Sequence, residues 1–169
     1  NVEVSQRVAD VALAALRALV PDRIGAAGQG TMNNLILGSV TGQRDAWVYY
    51  ETIGGGQGAR PGRAGMSAVH TGMTNTHDTP VEALERSLPV RVRRYGIARG
   101  SGGAGRHRGG DGIVKEYELL ADATLTLITE RRVSAPPGVD GGAPGAPGEN
   151  WLLPGGQEDR AEQLPDKVT

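Results

Sequence analysis

From Val4 to Val20, apolar positions Val4, Val8, Val11, Ala12, Ala15, Leu16 and Leu19 recur at steps of three and four, with Gln6, Arg7, Asp10 and Arg17 between them. That spacing predicts a helix with an apolar stripe turned toward a core and a polar face turned outward. Asn1 or Ser5 caps its start, and Pro21 ends it, since proline lacks an amide hydrogen and clashes with the preceding turn. The pattern then changes period. Leu35 to Val40 and Trp47 to Thr52 are β-branched and aromatic runs on either side of a turn at Gly42 to Asp45, and predict a hairpin. Pro89 to Tyr95 alternates, with Val90 and Val92 on one side and Arg91 and Arg93 on the other, as in a half-exposed strand. Ile113 to Leu120 and Thr124 to Arg132 alternate about Ala121-Asp122-Ala123 and predict a second hairpin. Thr79-Pro80-Val81-Glu82 carries the signals of a helix start, with Thr79 as the cap, so a short helix is expected over Pro80 to Arg86. The segment from Ser134 to Pro154 is too rich in proline and glycine for a central element; it is expected to wrap the surface, held by Trp151, Leu152 and Leu153. Leu164 to Thr169 begins another strand. The fold class expected is α+β: an N-terminal amphipathic helix, antiparallel strands in hairpins, and long glycine loops gathered at one end.

Composition narrows the function. The 169 residues suffice for one unit with its own core, expected over 1–169. Eighteen basic and nineteen acidic side chains leave a net charge of −1, so no global field draws nucleic acid or a membrane surface, and any anion site is local. Without cysteine, disulfides, thiolate nucleophiles and Cys-ligated zinc are excluded. No apolar run has the length of a spanning helix and no signal peptide is evident, so a cytoplasmic location is expected. The chain opens without methionine and closes within a strand entry, and is read as a piece of something longer.

The 27 glycines cluster. Gly25 to Asn34 offers the amides of Gly28 and Gly30 and the side chains of Gln29, Thr31, Asn33 and Asn34 as a neutral polar pocket, or serves as a plain connection. Gly54 to Gly65, GGGQGARPGRAG, lacks the Lys-Ser/Thr pair of a Walker loop, and Arg60-Pro61-Gly62-Arg63 breaks the helix that a dinucleotide fingerprint needs. It is either a cradle for carboxylate or phosphate oxygens, from the amides of Gly54, Gly55 and Gly56 with Arg60 and Arg63, or a structural loop whose arginines pair with a carboxylate such as Glu51. The run HTGMTNTHD places His70 and His77 seven apart, a poor metal spacing. His70 held by neighbouring Thr and Asn groups suits an acid, a base or a substrate donor, or else the run is an ordinary hydrogen-bonded turn. Gly100 to Gly112, with Arg106, His107 and Arg108, is a shaped loop between strands.

These strings, in order, carry a resemblance: NVEVSQRVAD, QGTMNN, YYETIGGGQGARPGRAG, HTGMTNT with TPVEALE, GSGGAGRHRGG, GGAPGAPGEN and LPDKVT. Together they resemble the hydantoinase B/5-oxoprolinase family, related to the acetone carboxylase alpha subunit, in an internal to C-terminal portion. The resemblance implies part of an ATP-dependent hydrolase that opens a hydantoin or 5-oxoproline ring. In that family a partner subunit spends ATP on phosphorylating the carbonyl oxygen, after which water attacks. It implies a larger ATP-binding hydantoinase A-type subunit as partner. It also implies a divalent metal for the whole complex, with ligands in an N-terminal portion outside this chain and none bound here. On residue type and clustering, His70 or Glu51 is expected to be the base, with Gly54, Gly55, Gly56, Arg60, Arg63, Thr74 and Asn75 binding substrate. Gly72 stands where the family usually has a second histidine, and His77 where arginine or leucine is more usual. The alternative reading is a non-catalytic assembly module or truncated relic of that enzyme.

Overall fold

The computed structural model describes residues 2–40, 42, 45–72 and 74–168; the expected Asn1 cap and the two central residues of the Gly42 to Asp45 turn lie outside them. Helix α1 (Val2–Arg17) is followed by β1 (Asn34–Ser39), β2 (Val48–Thr52), helix α2 (Val81–Ser87), β3 (Val90–Ala98), β4 (Gly112–Leu119) and β5 (Ala123–Ile128). Short strands β6 (Trp151–Leu152), β7 (Glu162–Gln163) and β8 (Lys167–Val168) close the order. The fold is α+β, with every strand pair antiparallel.

One sheet runs β2-β1-β5-β8, and β3 with β4 forms a separate two-stranded ribbon. The β1–β2 hairpin forms as expected, with Leu35 opposite Glu51 and Leu37 opposite Tyr49. The second expected hairpin does not form. β4 pairs with β3, while β5 pairs with β1 and places Leu127 beside Leu35 and Leu125 beside Leu37. Each strand's apolar partners lie in a different sheet, and the turn between them spans the two layers. The core sits where the layers meet: Leu35, Leu37, Tyr49, Leu84, Val90 and Leu127 are buried, with Val92, Tyr117 and Leu125 against them.

Three further expectations are corrected. α1 forms, but inverted: Val4, Val8, Val11 and Leu16 are 66%, 62%, 70% and 48% exposed, whereas Gln6 is 2% exposed. The inward face is held by polar contacts instead, Gln6 Nε2 to the Thr71 carbonyl at 3.1 Å and Arg7 to Glu130 at 2.6 Å. Helix α2 is capped at Pro80 rather than Thr79, with no side-chain hydrogen bond. Trp151 and Leu152 do not anchor the proline-glycine segment, being 49% and 43% exposed. Its backbone does, through Ala143 N–H to Ala104 O, Ala146 N–H to Ser101 O and Gly148 N–H to Arg131 O.

A candidate cleft walled by glycine loops

At one end of the layers, four irregular segments pack backbone against backbone. Gln29 N–H donates to Gly56 O, Gln57 N–H to Met66 O, Gly110 N–H to Gln57 O, and Gly65 N–H to Arg108 O, each at 2.9–3.0 Å. The contacts are too close for side chains. A Cβ on Gly56 would overlap the Gly110 carbonyl, one on Gly58 that of Ala26, and one on Gly65 that of Gln57. The glycines therefore act here as a core without side chains, in which mutual hydrogen bonds satisfy the buried peptide groups. Around these loops opens a cleft of about 2200 Å³, whose wall includes Gly54, Gly55, Gly56, Arg60, Arg106, Lys115, Tyr117, Arg131 and Arg132.

Of the nine site residues expected from sequence, four line this cleft: Gly54, Gly55, Gly56 and Arg60. The Gly55 amide is spent on Val69 O at 2.9 Å, and Val69 N–H returns to Gly55 O at 2.8 Å. That bridge fixes the following residue, His70, beside Gly54: a Cβ on Gly54 would lie 3.4 Å from the His70 amide nitrogen. His70 Nδ1 is buried with no hydrogen-bond partner among the described residues. Arg60 and Arg63 are joined by reciprocal backbone bonds of 3.0 and 2.9 Å around Pro61-Gly62. Pro61 at the second turn position and Gly62 at the third, with φ of 77°, make a type II turn that holds both guanidiniums out to solvent. Thr74 is buried, its hydroxyl donating to Thr71 O at 3.1 Å, and Asn75 is exposed.

Glu51 has neither arginine as partner. Period-two alternation places it with Tyr49 on the core face of the sheet, where its cross-strand neighbour is Leu35. A carboxylate in that setting needs partners. Lys115 donates to Oε1 and the Tyr117 hydroxyl donates to Oε2, and the Glu51 and Lys115 side chains are 5% and 7% exposed. Burial, then the hydrogen bond to Glu51, pushes the Tyr117 phenol well above the usual tyrosine range, so it remains a neutral donor. Burial likewise raises Tyr49. A β-bulge in β3 completes the cluster. The register slips between Val92 and Arg94, setting Tyr95 rather than Arg94 opposite Lys115. The slip exchanges a like-charge pair for a cation over a ring, with Nζ 4.1 Å from the Tyr95 centroid. Asp78 lies 3.7 Å from the same Nζ and accepts from the Tyr95 hydroxyl.

Sequence reasoning missed Lys115 and Tyr117. Their signal was faint: two same-face polar groups on a strand that otherwise reads as structural, one of them a lysine among mostly arginine cations. It also missed Asp111, which closes the third glycine loop by accepting from Gly102 N–H at 2.8 Å and from Arg108 at 2.7 Å. The Gly102 bond, with help from Arg108 and against the effect of burial, holds this carboxyl below its ordinary value.

Among the described residues no three His, Asp or Glu side chains stand together as possible metal ligands. No helix among them is long and apolar enough to cross a membrane.

Comparison with known proteins gives this architecture its context. The chain is 45% identical over 153 residues to 5-oxoprolinase 1 of Arabidopsis thaliana, a match that covers 90% of this chain and 11% of that protein. It is 43% identical over 153 residues to the 5-oxoprolinase of Dictyostelium discoideum, covering 90% and 11%. An uncharacterised protein of Methanocaldococcus jannaschii is 44% identical over 158 residues, covering 94% and 27%. The chain thus spans between about a tenth and about a quarter of the length of these curated relatives. The model of the hydantoinase B/oxoprolinase family matches residues 1–169, and the chain belongs to that family.

Proposed function

We propose that this chain forms one wall of the composite active site of an ATP-dependent hydrolase that opens a five-membered cyclic amide, a hydantoin or 5-oxoproline. The supporting observation is the cleft itself. Interlocked glycine loops set Gly54, Gly55, Gly56 and Arg60 on one wall, in a chain of the family that includes the 5-oxoprolinases.

A ring amide is a poor electrophile because its nitrogen lone pair is delocalised into the carbonyl, so ATP, bound largely by a hydantoinase A-type subunit, supplies the activation. The residues of this chain handle charge and a proton. His70, held beside Gly54 of the cleft wall by the Gly55–Val69 bridge, takes the proton of the attacking water. Glu51 is the poorer base, both its oxygens being engaged by Lys115 and Tyr117. It acts as a positioning residue, fixing the β3–β4 ribbon against β2. Arg60, exposed on its rigid turn, meets the developing negative charge from the cleft mouth. Thr74 and Asn75 border the His70 segment and contact substrate from that side.

The direct test is ring opening by the complete assembly. Purified with its ATP-binding partner, the protein is expected to convert a hydantoin or 5-oxoproline to the open-chain acid only when ATP is supplied. Ring opening that proceeds without ATP, or no opening of either ring, rejects the reading. A second reading, a module retained for assembly, is favoured by one observation, the outward apolar face of α1. It predicts co-purification with a larger chain while replacements at His70 leave turnover unchanged.

A further inference from the structure

Aspartate and threonine beside a helix start usually serve as caps. Asp78 and Thr79 precede helix α2, yet its N-cap is Pro80 and no side-chain hydrogen bond closes its first turn. The Asp78 carboxylate is turned to the β3–β4 ribbon instead. Its Oδ2 accepts from the Tyr95 hydroxyl, and its Oδ1 lies 3.7 Å from Lys115 Nζ. Lys115 does not need this second anion, because Glu51 already answers its charge from a deeper place; the Glu51 side chain is 5% exposed and that of Asp78 33%. A contact so open to solvent contributes little to stability. What it does fix is the end of an exposed stretch of chain.

That stretch is held on both sides. At its start Val69 is bridged to Gly55 in both directions at 2.8 and 2.9 Å, and Gln6 of α1, 2% exposed, donates to Thr71 O at 3.1 Å. The Thr74 hydroxyl folds back onto the same carbonyl, also at 3.1 Å. At its end stand the Asp78 contacts, followed by Thr79, whose hydroxyl donates to the Tyr49 phenol oxygen. Asn75, Thr76 and His77 lie between, exposed and in no helix or strand. Lys115 belongs to the cleft wall, so its contact with Asp78 ties these three residues to the edge of the cleft. The ammonium is itself a fixed point, paired with Glu51 and 4.1 Å from the centre of the Tyr95 ring. Removing the Asp78 carboxylate therefore releases one end of the stretch while the buried Glu51–Lys115 pair stays intact.

We propose that Asp78 is a positioning residue, which holds Asn75 and its two neighbours at the Lys115 edge of the cleft for contact with the substrate. The proposal rests on the cyclic-amide reading above and adds to it a residue that acts on substrate binding through others.

Steady-state kinetics of the complete assembly with ATP and a hydantoin or 5-oxoproline, together with hydrogen exchange of the same proteins, tests it. Asp78→Ala is expected to raise KM about 3- to 10-fold, the range for one lost hydrogen bond to substrate, with kcat within about twofold. Its Tm should move by less than about 4 °C. Amide exchange should quicken at residues 75–77 and stay unchanged in β1 and β5. Tyr95→Phe, which keeps the ring over Lys115, should also raise KM, and combining it with Asp78→Ala should raise KM no further than Asp78→Ala alone. An unchanged KM or unchanged exchange at 75–77 in Asp78→Ala overturns the inference, as do independent effects that multiply in the double variant. A fall of kcat and Tm together with the rise in KM also overturns it, since that marks a merely structural contact. Ring opening with KM unmoved removes this inference alone, whereas an unmodified assembly that opens neither ring removes the cyclic-amide reading and the substrate role of Asp78 with it.

Discussion

Replacing Lys115 by Met isolates the most heavily buried ion pair among the described residues. Lys115 and Glu51 are 7% and 5% exposed, and Glu51 faces the apolar side of its sheet opposite Leu35. Removing the ammonium leaves a desolvated carboxylate with the Tyr117 hydroxyl as its remaining side-chain donor. Breaking a buried pair in this way costs about 3–5 kcal/mol, and the surviving Tyr117 bond points to the lower end. The ring contact with Tyr95 adds about 1 kcal/mol of lost stability. At about 2–4 °C per kcal/mol for a chain of this size, a loss of about 3–4 kcal/mol lowers Tm by roughly 6–16 °C. The double replacement Glu51→Gln with Lys115→Met removes both charges and is expected to be more stable than Lys115→Met alone. Urea unfolding of the unmodified protein, the two single variants and the double variant closes the cycle. A loss below about 1 kcal/mol for Lys115→Met, or a double variant whose loss equals the sum of the singles, would refute the clamp as described.

Other regions give further tests. Gly58→Ala drives a Cβ into the Ala26 carbonyl and is expected to cost about 1–3 kcal/mol, whereas Gly96→Ala, with open space around the new methyl, is near neutral; thermal melts of the two variants compare them. Asp111, whose folded pKa is depressed, contributes stability above its unfolded pKa of about 4 and loses it as pH falls through the lower folded value. Asp111→Asn should therefore flatten the acid limb of a stability-against-pH curve, and an unchanged limb would count against the loop closure. Val8→Asp on the outward face of α1 should change the stability of this chain by less than about 0.5 kcal/mol, yet weaken co-purification with a larger chain if that face is covered in an assembly.

The strands were legible because their alternation survives folding: Val90 and Val92 do face inward, and the β1–β2 hairpin has its expected partners. What periodicity cannot state is which layer a strand joins. β4 and β5 are adjacent in sequence and alternate well, yet their apolar faces meet different neighbours. The stripe on α1 was read correctly as a stripe and wrongly as the inward face, since Gln6, Arg7 and Asp10 find polar partners on remote segments that no local pattern reveals. At the site, the glycine clusters announced shaped loops, and His70 and Glu51 were visible as candidates. The engagement of Glu51 was not, because its partners Lys115 and Tyr117 come from β4, a strand of the other sheet that is remote in sequence.

The central claim, that this chain supplies part of a hydrolytic site through His70, is tested most directly by turnover of the complete assembly carrying His70→Ala. Steady-state ring opening with saturating ATP should fall by about 10²- to 10⁴-fold in kcat, the range for loss of a general base, while Tm and partner binding stay unchanged. Turnover equal to that of the unmodified protein in a folded, fully assembled variant would contradict the claim.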